Sequence, residues 1–91
     1  MNNKQISHMQ AMDMILSYCL EHASEPVSMA ELQEHMLPGF DDELMRYLLD
    51  QIDEFNQKVV TVSLAYDGEF VQPNAETKSF VESGGFTAYY S

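Results

Sequence analysis

Three histidines and one cysteine are the side chains best suited to metal chemistry, and their spacing does not assemble a site. His8, His22 and His35 have no partner in the short His-x-x-x-His or Cys-x-x-Cys patterns that transition-metal sites use. Cys19 and His22 could share a helix face, but Cys19 also fits an apolar stripe, where a small buried thiol is the usual outcome. The sequence therefore predicts no metal ion and no other cofactor.

Nucleophilic catalysis needs a serine or cysteine hydrogen-bonded to a histidine that a third group orients. The adjacent pairs Ser7-His8 and Glu34-His35 point in different directions on a helix, so neither forms such a dyad. Gly84-Gly85 lacks the flanking basic residue and the following helix that a phosphate-binding loop requires. We therefore predict that the chain is not an enzyme.

Charge gives the strongest indication of partner class. Fifteen carboxylates in 91 residues oppose four basic residues, for a net charge of -11, and the basic ones are Lys4, Arg46, Lys58 and Lys78. Nucleic-acid affinity comes largely from Lys and Arg at phosphates, and like charges repel over about 8 Å at physiological salt. The monomer is thus predicted to disfavour nucleic acid, and its acidity either favours a basic protein partner or only keeps the chain soluble.

The same composition predicts a cytoplasmic location. A single cysteine excludes an internal disulfide and suits a reducing compartment. No apolar run approaches the ~18 residues of a membrane span, and the N-terminus has no hydrophobic signal core.

Apolar periodicity predicts a first helix after a frayed N-terminus at residues 1–5. The helix runs from Ile6 to His22 or Ala23, and Pro26 ends the segment because the residue before a proline avoids the α region. The side of this helix that carries Asp13 is expected to face solvent.

Two further helices are predicted, each with an identifiable start. The second spans Ala30 to Leu37 and begins with a capping box, in which Ser28 and Glu31 exchange side chain to backbone hydrogen bonds. The third begins at a cap formed by Asp41 or Asp42 and carries a wide apolar face ending near Phe55.

A β-hairpin is predicted behind the third helix. Its strands are Val59 to Tyr66 and Glu69 to Gln72, closing on Asp67-Gly68, a dipeptide typical of a type I′ turn. Alternation predicts that Val60, Val62 and Leu64 face the helices while Val59 points away.

The C-terminal part is predicted to form a fourth helix and an aromatic tail. Asn74 caps the helix, which spans Ala75 to Ser83 and ends at Gly84-Gly85. The tail at residues 87–91 either packs on the first helix or mediates self-association. The predicted homodimer contacts are Met14, which lies off the main apolar face of its helix, with Phe86, Tyr89 and Tyr90.

This order of elements predicts an α+β fold of the winged-helix (winged helix-turn-helix) type over residues 6–86. It has a three-helix core, a two-stranded hairpin wing and a short C-terminal helix, and Val27 could supply a short strand that pairs with the wing. The third helix would be the recognition helix. Its predicted partner-binding face is Glu43, Arg46, Tyr47, Asp50, Gln51, Asp53 and Glu54, and the wing adds Lys58, Tyr66, Asp67 and Glu69.

A C-terminal motif carries a resemblance to a known group of proteins. The chain resembles small bacterial winged-helix proteins that end in Phe-Leu-x-x-Gly-Gly-Phe, and the matching residues are Phe80, Val81, Gly84, Gly85 and Phe86. Those proteins often carry threonine at the helix cap and glycine one turn before the phenylalanine, where this chain has Asn74 and Thr77. The resemblance implies a winged helix and no particular activity.

Two functions remain open from the sequence. The first is a non-catalytic, acidic interaction module that binds a basic protein partner, in one version as a DNA mimic occupying a nucleic-acid site. The second is a winged-helix transcriptional regulator that binds DNA as a homodimer, with local basic residues overcoming the net charge.

Overall fold

The computed structural model describes residues 7–22, 24–55, 59–65 and 68–90. Within these ranges the chain is mixed α+β, with five helices and a three-stranded antiparallel sheet. The elements in chain order are α1 (His8–Glu21), β1 (Val27–Ser28), α2 (Met29–His35), α3 (Asp42–Asp53), β2 (Val60–Ala65), β3 (Gly68–Pro73), α4 (Thr77–Glu82) and α5 (Gly85–Tyr89).

Short polar side chains fix the starts of the first three helices. Ser7 and Gln10 form a complete capping box at α1. Ser28 Oγ accepts from the Glu31 amide at α2, but the Glu31 carboxylate accepts from the Tyr18 hydroxyl instead of closing the predicted box. At α3 the cap is Asp41, whose carboxylate accepts from the Leu44 amide at 2.9 Å. Capping therefore confirms these three predicted helix starts to within two residues.

The predicted hairpin is present, and β3 lies at the centre of the sheet. The strand order is β1-β3-β2, so the short β1 pairs with β3, with Val27 opposite Val71. Gly68 was predicted to lie in the turn, but it is the first residue of β3 and pairs with Ala65. The predicted turn at Asp67-Gly68 is therefore corrected for Gly68, while Asp67 lies outside the described residues.

The core lies between α1, α3 and the inner face of the sheet. Its fully buried side chains include Ile15, Leu16, Leu32, Leu37, Met45, Leu48, Leu49, Ile52 and Val71. Val59 was predicted to point away from the helices, yet it is also fully buried. The prediction was wrong because Val59 precedes β2, where strand alternation does not apply, and its carbonyl accepts from the buried Thr77 hydroxyl.

After the sheet the chain forms two short helices rather than one helix and a tail. Asn74 Oδ1 accepts from the Glu76 amide at 2.8 Å, but α4 begins later than predicted, with Glu76 at its N-cap position. Gly84 and Gly85 have φ of 112° and 67° and lead directly into α5, so the prediction that no helix follows them was wrong. Residues 87–89 of the predicted tail belong to α5, which is too short to show an apolar period in the sequence.

Asp13 of α1 holds the start of α5. Its carboxylate accepts three hydrogen bonds, from the Phe86 amide (2.6 Å), the Thr87 amide (3.1 Å) and the Thr87 hydroxyl (2.8 Å). A Cβ on Gly85 would lie 2.3 Å from Asp13 Oδ1, so only glycine permits this approach. Asp13 was predicted to face solvent, but it is half-buried in this contact. This contact brings α5 onto α1.

An aromatic cluster connects α5 to the end of α3. The Phe55 ring contacts those of Phe80, Phe86 and Tyr89, with centroids 5.2, 4.8 and 4.9 Å away. The Phe80 ring is tilted and the other two are edge-on to Phe55, which is a favourable geometry for aromatic pairs. The cluster positions Tyr89 and its neighbour Tyr90 beside the exposed face of α3. No helix in the described part of the chain has the length and apolar character to cross a lipid bilayer.

Candidate partner-binding surface

The outer side of α3 presents the face that the sequence predicted. All seven predicted positions are exposed, while the opposite side of the helix fills the core; they are Glu43, Arg46, Tyr47, Asp50, Gln51, Asp53 and Glu54. Four of these side chains are carboxylates and one is an arginine. The exposed face of α3 is therefore predominantly negative.

A groove runs beside this face, between α3, the start of α1 and the end of α5. One part has a volume of about 270 Å³ and is lined by His8, Met9, Met12, Tyr47, Gln51 and Tyr90. A second part of about 320 Å³ is lined by Gln51, Glu54, Phe55, Tyr89 and Tyr90. The two parts share Gln51 and Tyr90 as lining residues. We call them together the tyrosine groove.

Exposed apolar side chains are concentrated at the tyrosine groove. Within the described residues, the large exposed ones are Met9, Tyr47, Tyr89 and Tyr90, at 36, 47, 48 and 54% exposure. All four line the groove. An exposed apolar patch rimmed by polar side chains is typical of an interaction site.

The structure brings part of two predicted residue sets together. The same groove is lined by Tyr47, Gln51 and Glu54 from the predicted partner-binding face and by Tyr89 and Tyr90 from the predicted dimer contacts. From the sequence, these two sets were predicted to form separate surfaces, because nothing in the local pattern places α5 against α3.

Two other predicted contacts lie elsewhere. Phe86 is 1% exposed within the aromatic cluster, so its predicted role as a homodimer contact is corrected to that of a core residue. Met14 is half-buried and packs against the core, which leaves only part of its side chain accessible.

The predicted wing residues are described only in part. Glu69 is half-buried, and its Oε1 has no hydrogen-bond partner among the described residues. It lines a separate cavity of about 410 Å³ together with Ser28, Met29 and Phe70. The predictions for Lys58, Tyr66 and Asp67 lie outside these residues.

The groups with the clearest pKa changes lie away from the tyrosine groove. Burial raises the pKa of the Cys19 thiol to about 12, so the nucleophilic thiolate is scarce at neutral pH. The hydrogen bond from the Tyr18 hydroxyl to Glu31, 2.6 Å long, raises the pKa of Tyr18 to about 12. No group of three or more His, Cys, Asp or Glu side chains in the described ranges is arranged to hold a metal ion.

Sequence reasoning missed the contribution of α1 to the groove. Met9 lies in the first turn of α1, at the edge of the core, and is 36% exposed. The His8 ring lies 5.4 Å from that of Tyr47. The signal available in the sequence was a histidine and a methionine directly after the Ser7 cap, because side chains in the first turn of a helix often extend beyond the edge of the core.

Comparison with protein-family models, curated proteins and solved structures finds no match to this chain.

Proposed function

We propose that this chain is a non-catalytic, cytoplasmic interaction module of the winged-helix type that binds a basic protein partner through the exposed face of α3. The observation that carries the proposal is the charge of that face. Glu43, Asp50, Asp53 and Glu54 surround the lone Arg46, on a chain whose net charge is -11. Such a surface attracts cationic partners and speeds their association.

The order of elements supports the winged-helix part of the proposal. Two helices, α2 and α3, are joined by a short connection and followed by the β2–β3 hairpin, and the short β1 pairs with that hairpin. This arrangement leaves α3 with one exposed side. In winged-helix proteins the helix at this position is the recognition element.

Carboxylates on α3 also favour a specific version of the proposal, in which the module imitates nucleic acid. Exposed acidic side chains along one helix present a row of negative charge to a protein groove that normally holds phosphates. The partner would then be a nucleic-acid-binding protein, and the module would act as its inhibitor.

A DNA-binding regulator is the second candidate, favoured by the same order of elements. Arg46 and Gln51 are exposed on α3 and have side chains that can read guanine and adenine edges. The neighbouring carboxylates oppose this function because they would face phosphates. A dimer would have to supply the missing positive charge.

Two variants with the same net charge test whether the α3 face binds the partner. Asp50→Asn/Glu54→Gln removes two carboxylates from that face, whereas Glu34→Gln/Glu82→Gln removes two exposed carboxylates from α2 and α4. We expect the wild-type chain and the α2/α4 variant to capture a basic protein that about 0.5 M salt releases, a level that screens exposed charges. The α3 variant should not capture this protein. The captured protein is then purified, and its binding to the wild-type chain and to both variants is measured again.

The same chains discriminate the DNA-binding alternative. A mobility-shift assay with random duplex is run at about 50 mM salt, because low salt favours nonspecific DNA binding. Even under this condition it should show no complex, because the carboxylates of the α3 face would repel the phosphates. Tight duplex binding, or equal loss of the partner in both charge variants, would overturn the proposal.

A further inference from the structure

We propose that the tyrosine groove receives an arginine side chain of the basic partner. This inference rests on the proposed function and adds the residue that the site selects. It starts from an unusual feature, since the large apolar side chains exposed in the described residues gather at one acidic surface.

Aromatic faces and an alkyl-lined floor suit the two parts of an arginine. Met9, Met12 and Tyr47 line one end of the groove and offer apolar surface to a hydrocarbon stem. Tyr90 lines both parts of the groove, where its ring can contact a cation. A guanidinium within about 6 Å of a tyrosine ring is attracted by the ring's quadrupole and can also stack on its face.

Polar groups in the groove supply the remaining requirement of a guanidinium, which has five N–H donors. Glu54 lines the second part of the groove with a carboxylate, and Gln51 lines both parts. Both offer acceptor oxygens. A lysine ammonium is also attracted to a ring, but it is compact and strongly hydrated and has neither the planar stacking surface nor the bidentate fork of a guanidinium, so the groove should prefer arginine.

A second copy of the chain is the other occupant that such a patch suggests, and charge opposes it. Each chain carries a net charge of -11. A two-fold interface places the same patch of both chains face to face, and here it would bring Glu54 and its acidic neighbours towards their own copies. A cationic segment meets no such repulsion.

Two labelled Gly-Ser peptides of equal length and charge test this selectivity, one carrying four arginines and the other four lysines. Their affinities for the full chain are measured by fluorescence anisotropy. We expect the arginine peptide to bind about threefold more tightly, because a guanidinium adds planar stacking and a bidentate fork to the cation–π attraction that both cations feel. Equal affinities would overturn the inference.

Ring chemistry is isolated by a pair of double variants. Tyr47→Leu/Tyr90→Leu removes two of the three tyrosine rings of the groove and leaves Tyr89, whereas Tyr47→Phe/Tyr90→Phe loses the same two hydroxyls and keeps all three rings. The arginine preference should persist in the phenylalanine variant and fall in the leucine variant, where an unchanged preference would contradict a role for these two rings. Because both sites are about half exposed, we expect both variants to fold, which thermal unfolding checks. Loss of the preference in both variants would contradict a role for the rings.

Failure of this inference is distinguishable from failure of the proposed function. Asp50→Asn/Glu54→Gln should weaken both peptides, while Glu34→Gln/Glu82→Gln should leave both nearly unchanged. Equal arginine and lysine affinities with this charge effect intact would remove only the arginine site. No difference between the two charge variants would show that the α3 face is not the binding surface.

Sedimentation tests the alternative of self-association. If the wild-type chain is a dimer and Tyr47→Leu/Tyr90→Leu makes it monomeric, the groove is a dimer interface and the inference is overturned.

Discussion

Replacement of Asp13 by alanine should detach α5 from α1 and destabilise the whole domain. The carboxylate accepts hydrogen bonds from two backbone amides and one hydroxyl at the start of α5. Its loss leaves these donors without their acceptor, and it weakens the support of the aromatic cluster, in which Phe86 is 1% exposed.

The magnitude follows from the number and exposure of these bonds. A hydrogen bond to a charged group contributes about 1.5–3 kcal/mol, but Thr87 is exposed and water can replace part of that. We assign about 1 kcal/mol to each of the three bonds at this half-exposed site. Alanine regains up to about 0.7 kcal/mol of helix propensity in α1. The expected loss for Asp13→Ala is therefore about 2–3 kcal/mol, or a fall in Tm of roughly 10–20 °C.

Urea and thermal unfolding followed by far-UV circular dichroism measure this loss, because the chain has no tryptophan. Asp13→Asn retains one carbonyl oxygen and should lose about half as much as alanine does. Ser17→Ala, at an exposed position one turn later on α1, is the matched control and should change stability by less than about 0.5 kcal/mol. If Asp13→Ala and Ser17→Ala have equal effects, the carboxylate does not hold α5.

Three further predictions concern the interior. Gly85→Ala should destabilise the wild-type chain by at least about 1–2 kcal/mol, because the φ of Gly85 is 67° and an added Cβ would collide with Asp13. In the Asp13→Ala background the collision is absent, so the same substitution should cost less. A double-mutant cycle of urea unfolding measures this difference. Burial raises the pKa of Cys19 to about 12, so its thiol should resist a thiol reagent at about pH 8 in the native chain and react promptly once the chain is unfolded. Its contribution to stability should be lost as pH rises from 9.0 towards 12. Fast labelling of the native chain would contradict its burial. The hydrogen bond to Glu31 is the main cause that raises the pKa of Tyr18 to about 12, so this tyrosine should ionise at a higher pH than an ordinary tyrosine in a phenolate absorbance titration. Its contribution to stability should be complete below pH 10.0 and should be lost as pH rises towards 12. Glu31→Gln should lower the titration midpoint of Tyr18, and an unchanged midpoint would show that Glu31 is not the cause.

Features carried by local physics could be predicted from the sequence. The starts of α1, α2 and α3 follow from caps and apolar periods that lie within a few residues of each other. The antiparallel β2–β3 pair follows from a β-branched run and a shorter segment around Phe70 and Val71, separated by a turn signal, and Gly68 has a positive φ of 132°. The exposed face of α3 follows by subtraction from its buried one.

Features created by distant contacts could not be predicted. The α5 helix depends on Asp13, which lies 73 residues before Phe86 and belongs to a helix face that the sequence alone assigns to solvent. The tyrosine groove depends in turn on α5, because that helix brings Tyr90 towards Tyr47 and Gln51. Sequence therefore identified most of the groove's residues without placing them on one surface. The buried Phe86 was misassigned for the same reason.

Amide chemical-shift mapping by NMR shows which surface of the chain the arginine peptide contacts. We expect saturating peptide to shift the resonances of the exposed α3 face and of Tyr89 and Tyr90, while those of β3 and α4 stay in place. A random DNA duplex at the same low salt should leave the spectrum unchanged. Shifts confined to the sheet, or shifts on α3 caused by the duplex, would show that the α3 face is not a site for cationic protein partners.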